Sequence, residues 1–136
     1  MKKKRRGLIL VVDDVADNRD IYTQYLVHDG FQVALAGDGQ EALDKAAQLA
    51  PDLIVMDLSL PVMDGWEATR RLKQNGITKH IPVIALTAHA QDGVAETAGE
   101  AGCDRFITKP CPPDELAREI ARILEDRPGR SKTQGA

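Results

Sequence analysis

Five polar residues in this chain of 136 stand at the ends of apolar runs, and together their types suit the handling of a phosphoryl group. Asp13 and Asp14 follow the run 8–12, and Asp57 follows 53–56. Thr87 follows 83–86, and Lys109 follows 106–108. Runs of this kind read as buried strands, and a carboxylate at the end of one needs a cation, a proton or a hydrogen-bond donor. If the strands are parallel neighbours, their carboxyl ends bring three carboxylates, a hydroxyl and an ammonium to one edge. Three close carboxylates repel one another, so the cluster calls for a bound cation or a raised pKa. Oxygen donors without His or Cys favour Mg²⁺, which keeps several waters and bridges carboxylate to phosphate. Lys109 would then meet an anionic phosphoryl group, and Thr87 would donate a hydrogen bond to one of its oxygens. Singly, each residue has an ordinary reading: a helix cap, a β-branched strand residue, a solvated lysine. Their joint occurrence at the ends of separate runs is what capping does not explain.

The elements that must position these residues alternate along the chain. Short apolar runs at 8–12, 31–36, 53–56, 83–86 and 105–108 are separated by longer stretches with helical spacing. Ile21, Tyr25 and Leu26 share a face of the first stretch, and Ala42, Leu43, Ala46, Ala47 and Leu49 mark the second. Trp66 and Leu72 suggest a third. Trp66 reads as a half-buried helix residue, with a partner contact as the alternative. Leu116, Ile120, Ile123 and Leu124 form a stripe on the last, with Arg118, Glu119 and Arg122 toward water. Gly30, Pro51 and Asn75-Gly76 punctuate helix ends, while Pro112-Pro113 before Asp114-Glu115 suits a helix start. Five repeats of strand then helix imply an α/β fold, a doubly wound parallel sheet with helices on both faces. The fourth helical stretch, 91–101, contains Gly93 and Gly99, each costing about 1 kcal/mol relative to alanine. Two readings stand there: a surface helix whose glycines permit close packing, or a segment kept near its melting point so that it can move.

Bulk properties bound the rest. The length suits one domain that buries about 70% of the surface its unfolded chain exposes. With aromatics at 4%, the core must be mainly aliphatic, and a net charge of −3 gives no general reason to expect nucleic-acid binding. The run Lys2-Lys3-Lys4-Arg5-Arg6 reads as a solvated basic tail (residues 1–6), and 127–136 as a disordered tail, leaving 7–126 as the domain. The apolar stretch after the basic run is too short for a signal core or a membrane span. Cys103 and Cys111 lack metal-ligand spacing, so reduced thiols in a cytoplasmic protein are expected.

The segments Ile9-Leu-Val-Val-Asp-Asp14, Asp52-Leu-Ile-Val-Met-Asp57, Leu60-Pro-Val-Met-Asp-Gly65, Ile84-Ala-Leu-Thr-Ala88 and Phe106-Ile-Thr-Lys-Pro110 carry a resemblance. Over about residues 7–126 the chain resembles a receiver domain of a two-component response regulator, of the single-domain, chemotaxis-regulator-like kind. The resemblance implies a flavodoxin-like sheet in the order 2-1-3-4-5 with five flanking helices. Asp57 would accept a phosphoryl group from a phosphohistidine on a sensor histidine kinase or a histidine phosphotransfer protein. Asp14 would bind Mg²⁺ directly and Asp13 mainly through water, with the main-chain carbonyl of Ser59 as a further ligand. Thr87 and Lys109 would hold the phosphoryl oxygens, and a cis bond is expected at Lys109-Pro110. Phe106 takes the place of the family's switch aromatic; a plain core Phe is the alternative. Ser59 and His89 occupy the positions that tune phosphoryl lifetime. The signalling surface would be the fourth helical stretch, the fifth strand and the last helix, facing a downstream protein target, with no direct nucleic-acid contact.

Four alternatives stand beside the free-standing regulator, among them a structural pseudo-receiver that never takes phosphate, against which the five intact key positions argue. One is a phosphate shuttle, or a receiver module cut from a hybrid kinase. A second is an aspartate-nucleophile phosphatase; such an enzyme needs a second Asp two residues after the nucleophile, whereas Asp57 is followed by Leu58-Ser59. A nucleotide- or flavin-binding domain would need a Gly-rich phosphate loop after the first run, where Asp13-Asp14 stands instead.

Overall fold

The computed structural model describes residues 6–58, 63–87 and 101–125. Five strands, β1 (Leu8–Val12), β2 (Gln32–Ala36), β3 (Leu53–Asp57), β4 (Val83–Thr87) and β5 (Arg105–Thr108), form one sheet in the order β2-β1-β3-β4-β5. Every pairing is parallel, with Val11 opposite both Leu35 and Val55, Val55 opposite Ile84, and Leu86 opposite Ile107. Among the described residues four helices flank the sheet: α1 (Ala16–His28), α2 (Gly39–Leu49), α3 (Gly65–Gln74) and α4 (Pro113–Glu125). The further helix expected over 91–101, with Gly93 and Gly99, lies outside the described residues except for Ala101, so four helices rather than five are described.

Strand periodicity divides the core in two. Ile9, Val11, Leu53, Val55, Ile84 and Leu86 face Tyr22 and Leu26 of α1 and Leu116, Ile120 and Leu124 of α4. The intervening residues Leu10, Val12, Ile54, Met56 and Val83 face Ala42 and Ala46 of α2 and Ala68 and Leu72 of α3. Side chains on alternate strand positions point to opposite faces, so one apolar run serves both layers. Each fully buried Leu or Ile contributes about 1.5–3 kcal/mol, and β1, β3 and β4 are apolar on both faces for that reason.

Local chemistry sets the helix starts. Asp38 accepts the Glu41 N–H at 2.8 Å at the head of α2, while the Glu41 carboxylate accepts the Gly37 N–H at 2.8 Å. The two bonds satisfy backbone donors at the head of the helix, the first as an N-cap and the second on the residue just before that cap. Asp64 accepts the Glu67 N–H at 2.9 Å and starts α3. Pro113 occupies the first position of α4, where its missing N–H costs nothing.

Three expected faces differ in detail. On α1 the buried pair is Tyr22 and Leu26, whereas Ile21 is 53% exposed and Tyr25 38%. The helix is rotated by one position relative to its apolar spacing, because Tyr22 can bury its ring while its hydroxyl finds a carbonyl. Ala47 and Leu49 of α2 are exposed, since the small Ala42 and Ala46 let the helix sit close to the sheet. Glu119 is largely covered rather than free in water; it pairs with Arg105 at 2.6 Å and Arg122 at 2.8 Å. Arg6, the last residue of the basic run, pairs with Asp29 at 2.8 Å and stacks over Phe31 at 4.5 Å.

Candidate functional site

The ladder of backbone hydrogen bonds runs past the strand ends into the residues that carry chemistry. The Asp13 N–H donates to Ala36 (3.1 Å), the Leu58 N–H to Leu86 (3.0 Å) and the Lys109 N–H to Thr87 (2.6 Å). The sheet itself therefore fixes the spacing of Asp13, Asp57, Thr87 and Lys109 at its carboxyl edge. One carboxylate oxygen from each of Asp13, Asp14 and Asp57 lies within 4.8 Å of the others. Asp13, Asp57 and Thr87 are buried, while Asp14 is exposed. The Lys109 ammonium reaches in from the far side, 3.2 Å from Asp57 and 3.7 Å from Asp13.

Asp13 is held from three directions. Its carboxylate accepts the Val15 N–H (2.9 Å) and an Asn18 amide N–H (3.4 Å), and its main-chain carbonyl accepts from Arg19 (2.8 Å). Asn18 and Arg19 sit in the first turns of α1, five and six residues beyond Asp13. Spacing alone did not single them out, because their reach depends on the angle at which α1 leaves the sheet. Gly65 backs the site from below. Its N–H donates to the Leu58 carbonyl at 3.2 Å, and a Cβ there would lie 2.4 Å from the Asp57 carbonyl oxygen. Only a residue without a side chain lets the start of α3 come this near to β3.

Lys109-Pro110 is cis, as the resemblance implied. Beyond it the Cys111 carbonyl accepts the Tyr22 hydroxyl at 3.0 Å. Burial first, and then the negative charge of Cys111, Asp13 and Asp57, pushes the Tyr22 phenol up to about 12. Burial likewise raises the Cys111 thiol. Tyr22, Lys109, Pro110, Cys111 and Asn18 line a cavity of about 470 Å³ beside the carboxylates. Phe106 is half-buried on β5. Ser59 and His89 lie outside the described residues.

Among the described residues, three carboxylates against one ammonium leave an excess of negative charge in a partly buried place. The donor set is all oxygen and open to solvent at Asp14, which fits a hard divalent cation that keeps some of its water. An anion could enter only beside such a cation and Lys109.

The model of the family described as response regulator receiver domain matches residues 9–121. The chain belongs to the response regulator receiver domain family. It is 36% identical over 118 residues to the polar-differentiation response regulator DivK of Brucella anthropi, covering 87% of this chain and 96% of that protein. Among solved structures, the receiver domain of the sensor histidine kinase PA1611 of Pseudomonas aeruginosa matches with a TM-score of 0.81 and 35% identity. The match covers 88% of this chain and 98% of that one, and the Pseudomonas structure has a magnesium ion coordinated in its active-site cleft. The chemotaxis response regulator CheY4 of Vibrio cholerae matches at a TM-score of 0.81 and 29% identity, over 86% of this chain and 98% of that one. As a receiver the chain is a signalling module of two-component systems rather than a metabolic enzyme. No helix among the described residues is long and apolar enough to cross a membrane.

Proposed function

We propose that Asp57 takes a phosphoryl group from a phosphohistidine on a sensor histidine kinase or histidine phosphotransfer protein, and that the product alters a surface read by a downstream protein. The observation that carries this reading is the approach of Lys109 to within 3.2 Å of Asp57 beside Asp13 and Asp14. Asp13, Asp14 and Asp57, with the main-chain carbonyl of Ser59, would hold Mg²⁺, whose charge offsets the repulsion between a carboxylate and phosphoryl oxygens. An oxygen of Asp57 attacks phosphorus in line, the P–N bond breaks, and the leaving imidazole takes a proton from solvent. Lys109 and the Thr87 hydroxyl hold the equatorial oxygens as charge gathers on them. The product is an acyl phosphate, which water hydrolyses to inorganic phosphate and the free Asp57 carboxylate. Such a bond suits a timed signal, and Ser59 and His89 are the positions we assign to tuning its lifetime.

Phe106 is half-buried, between a fully packed and a fully exposed state, which supports a switch role for it. The output surface is assigned to β5, α4 and the stretch 91–101. Incubation with Mg²⁺ and a small acyl phosphate tests the reading by intact mass. One labile phosphoryl adduct that needs the metal and is absent from Asp57→Asn is expected; steady hydrolysis of phosphate esters without an adduct would favour a phosphatase instead. A phosphate shuttle or hybrid-kinase module is the second reading, favoured by the likeness to a sensor-kinase receiver. Rapid onward transfer to a histidine phosphotransfer protein would mark it.

A further inference from the structure

Residues 110–113 read Pro-Cys-Pro-Pro, so the Cys111 N–H is the one backbone donor in four residues. A connection so short of donors is best fastened from outside through its carbonyls. The Cys111 carbonyl accepts the Tyr22 hydroxyl at 3.0 Å, a buried bond between residues 89 positions apart. The Tyr22 ring belongs to the same core cluster as Ile84, Leu86 and Leu116, so the packed sheet face holds the donor in place. Two residues before Cys111 stands Lys109, whose ammonium must sit 3.2 Å from Asp57 on a long, flexible side chain. Where its backbone is anchored therefore decides where the charge falls.

We infer that Tyr22 is a positioning residue for phosphoryl transfer: its hydroxyl pins the Cys111 carbonyl and so aims the Lys109 ammonium at Asp57. The inference rests on the reading of Lys109 as the phosphoryl-binding group. The phenol, pushed up to about 12 by burial first, remains a proton donor through the neutral and mildly alkaline range. A tyrosine that merely satisfied a buried carbonyl would affect stability and leave the chemistry alone.

Tyr22→Phe keeps the ring and removes the donor. In the full chain, the rate of phosphorylation by a small acyl phosphate at saturating Mg²⁺ should fall about tenfold. Affinity for fluoroberyllate, a phosphoryl mimic, measured by calorimetry with Mg²⁺ present, should fall in parallel, while affinity for Mg²⁺ alone stays within about twofold. Added to Lys109→Ala, the same change should have no further effect on the rate, because Tyr22 acts through the lysine. Wild-type rates in Tyr22→Phe, an equal loss in the Lys109→Ala background, or failure of Tyr22→Phe to fold would each assign the hydroxyl to stability and overturn the inference. A wild-type chain that takes no phosphoryl group would overturn the parent reading as well, and is distinguished by being seen before any substitution is made.

Discussion

Asp57 and Asp13 are buried carboxylates that share one ammonium, and this unequal sharing determines what each substitution should do. Removing the Lys109 ammonium takes from the carboxylates the cation nearest to them among the described residues. Lys109→Ala should therefore slow phosphorylation about a hundredfold or more, as loss of an electrostatic clamp on transferring oxygens does, while the fold survives. Stopped-flow or intact-mass kinetics with a small acyl phosphate would measure it. Tyr22 gives a separate signature in alkali. Its phenol is pushed up to about 12 in the fold against about 10 in the unfolded chain. Because the phenol is a weaker acid in the fold, its contribution is fully present below pH 10 and is lost as pH climbs from about 10 toward 12. Denaturation followed along that range should show a steepening in the wild type that Tyr22→Phe lacks. The sequence reveals Asp13, Asp14, Asp57, Thr87 and Lys109 because each interrupts an apolar run. It does not reveal Asn18, Arg19 or Tyr22, whose roles depend on the rotation and exit angle of α1.

Two local backbone features of the elements invite test. Gly65 opens α3 directly under the Asp57 carbonyl, where a methyl group would come within 2.4 Å of the oxygen. Gly65→Ala must push either α3 or the end of β3 aside, at about 1–3 kcal/mol. It should lower both the denaturation midpoint and the phosphorylation rate, whereas a distant core substitution lowers only the former. Ala50 closes α2 at φ 47°, a left-handed position without a glycine. Ala50→Gly should raise stability by about 0.5–1 kcal/mol in urea titration and leave phosphorylation unchanged, since α2 is anchored to the sheet by Ala42 and Ala46. Strands were legible almost to the residue, because four of the five are apolar runs ended by a polar residue. The face of α1 was not: Ile21 and Tyr25 satisfy helical spacing as well as Tyr22 and Leu26 do. What decides between them is the Cys111 carbonyl, a partner 89 residues away.

At the scale of the whole molecule, the sheet is an aliphatic slab that brings separate parts of the sequence to one edge. The order β2-β1-β3-β4-β5 puts β1 and β3 side by side at the centre, so the aspartates that end them must meet. No local feature of either run specifies that meeting; the parallel topology does. The most direct test of the central claim is to locate the phosphoryl group. Reduction of the phosphorylated chain with borohydride converts an aspartyl phosphate to homoserine, which peptide mapping then places. Homoserine is expected at position 57 alone, formed only when Mg²⁺ was present during phosphorylation. Homoserine at position 13 or 14, or a label that resists reduction because it sits on a histidine or hydroxyl, would contradict it.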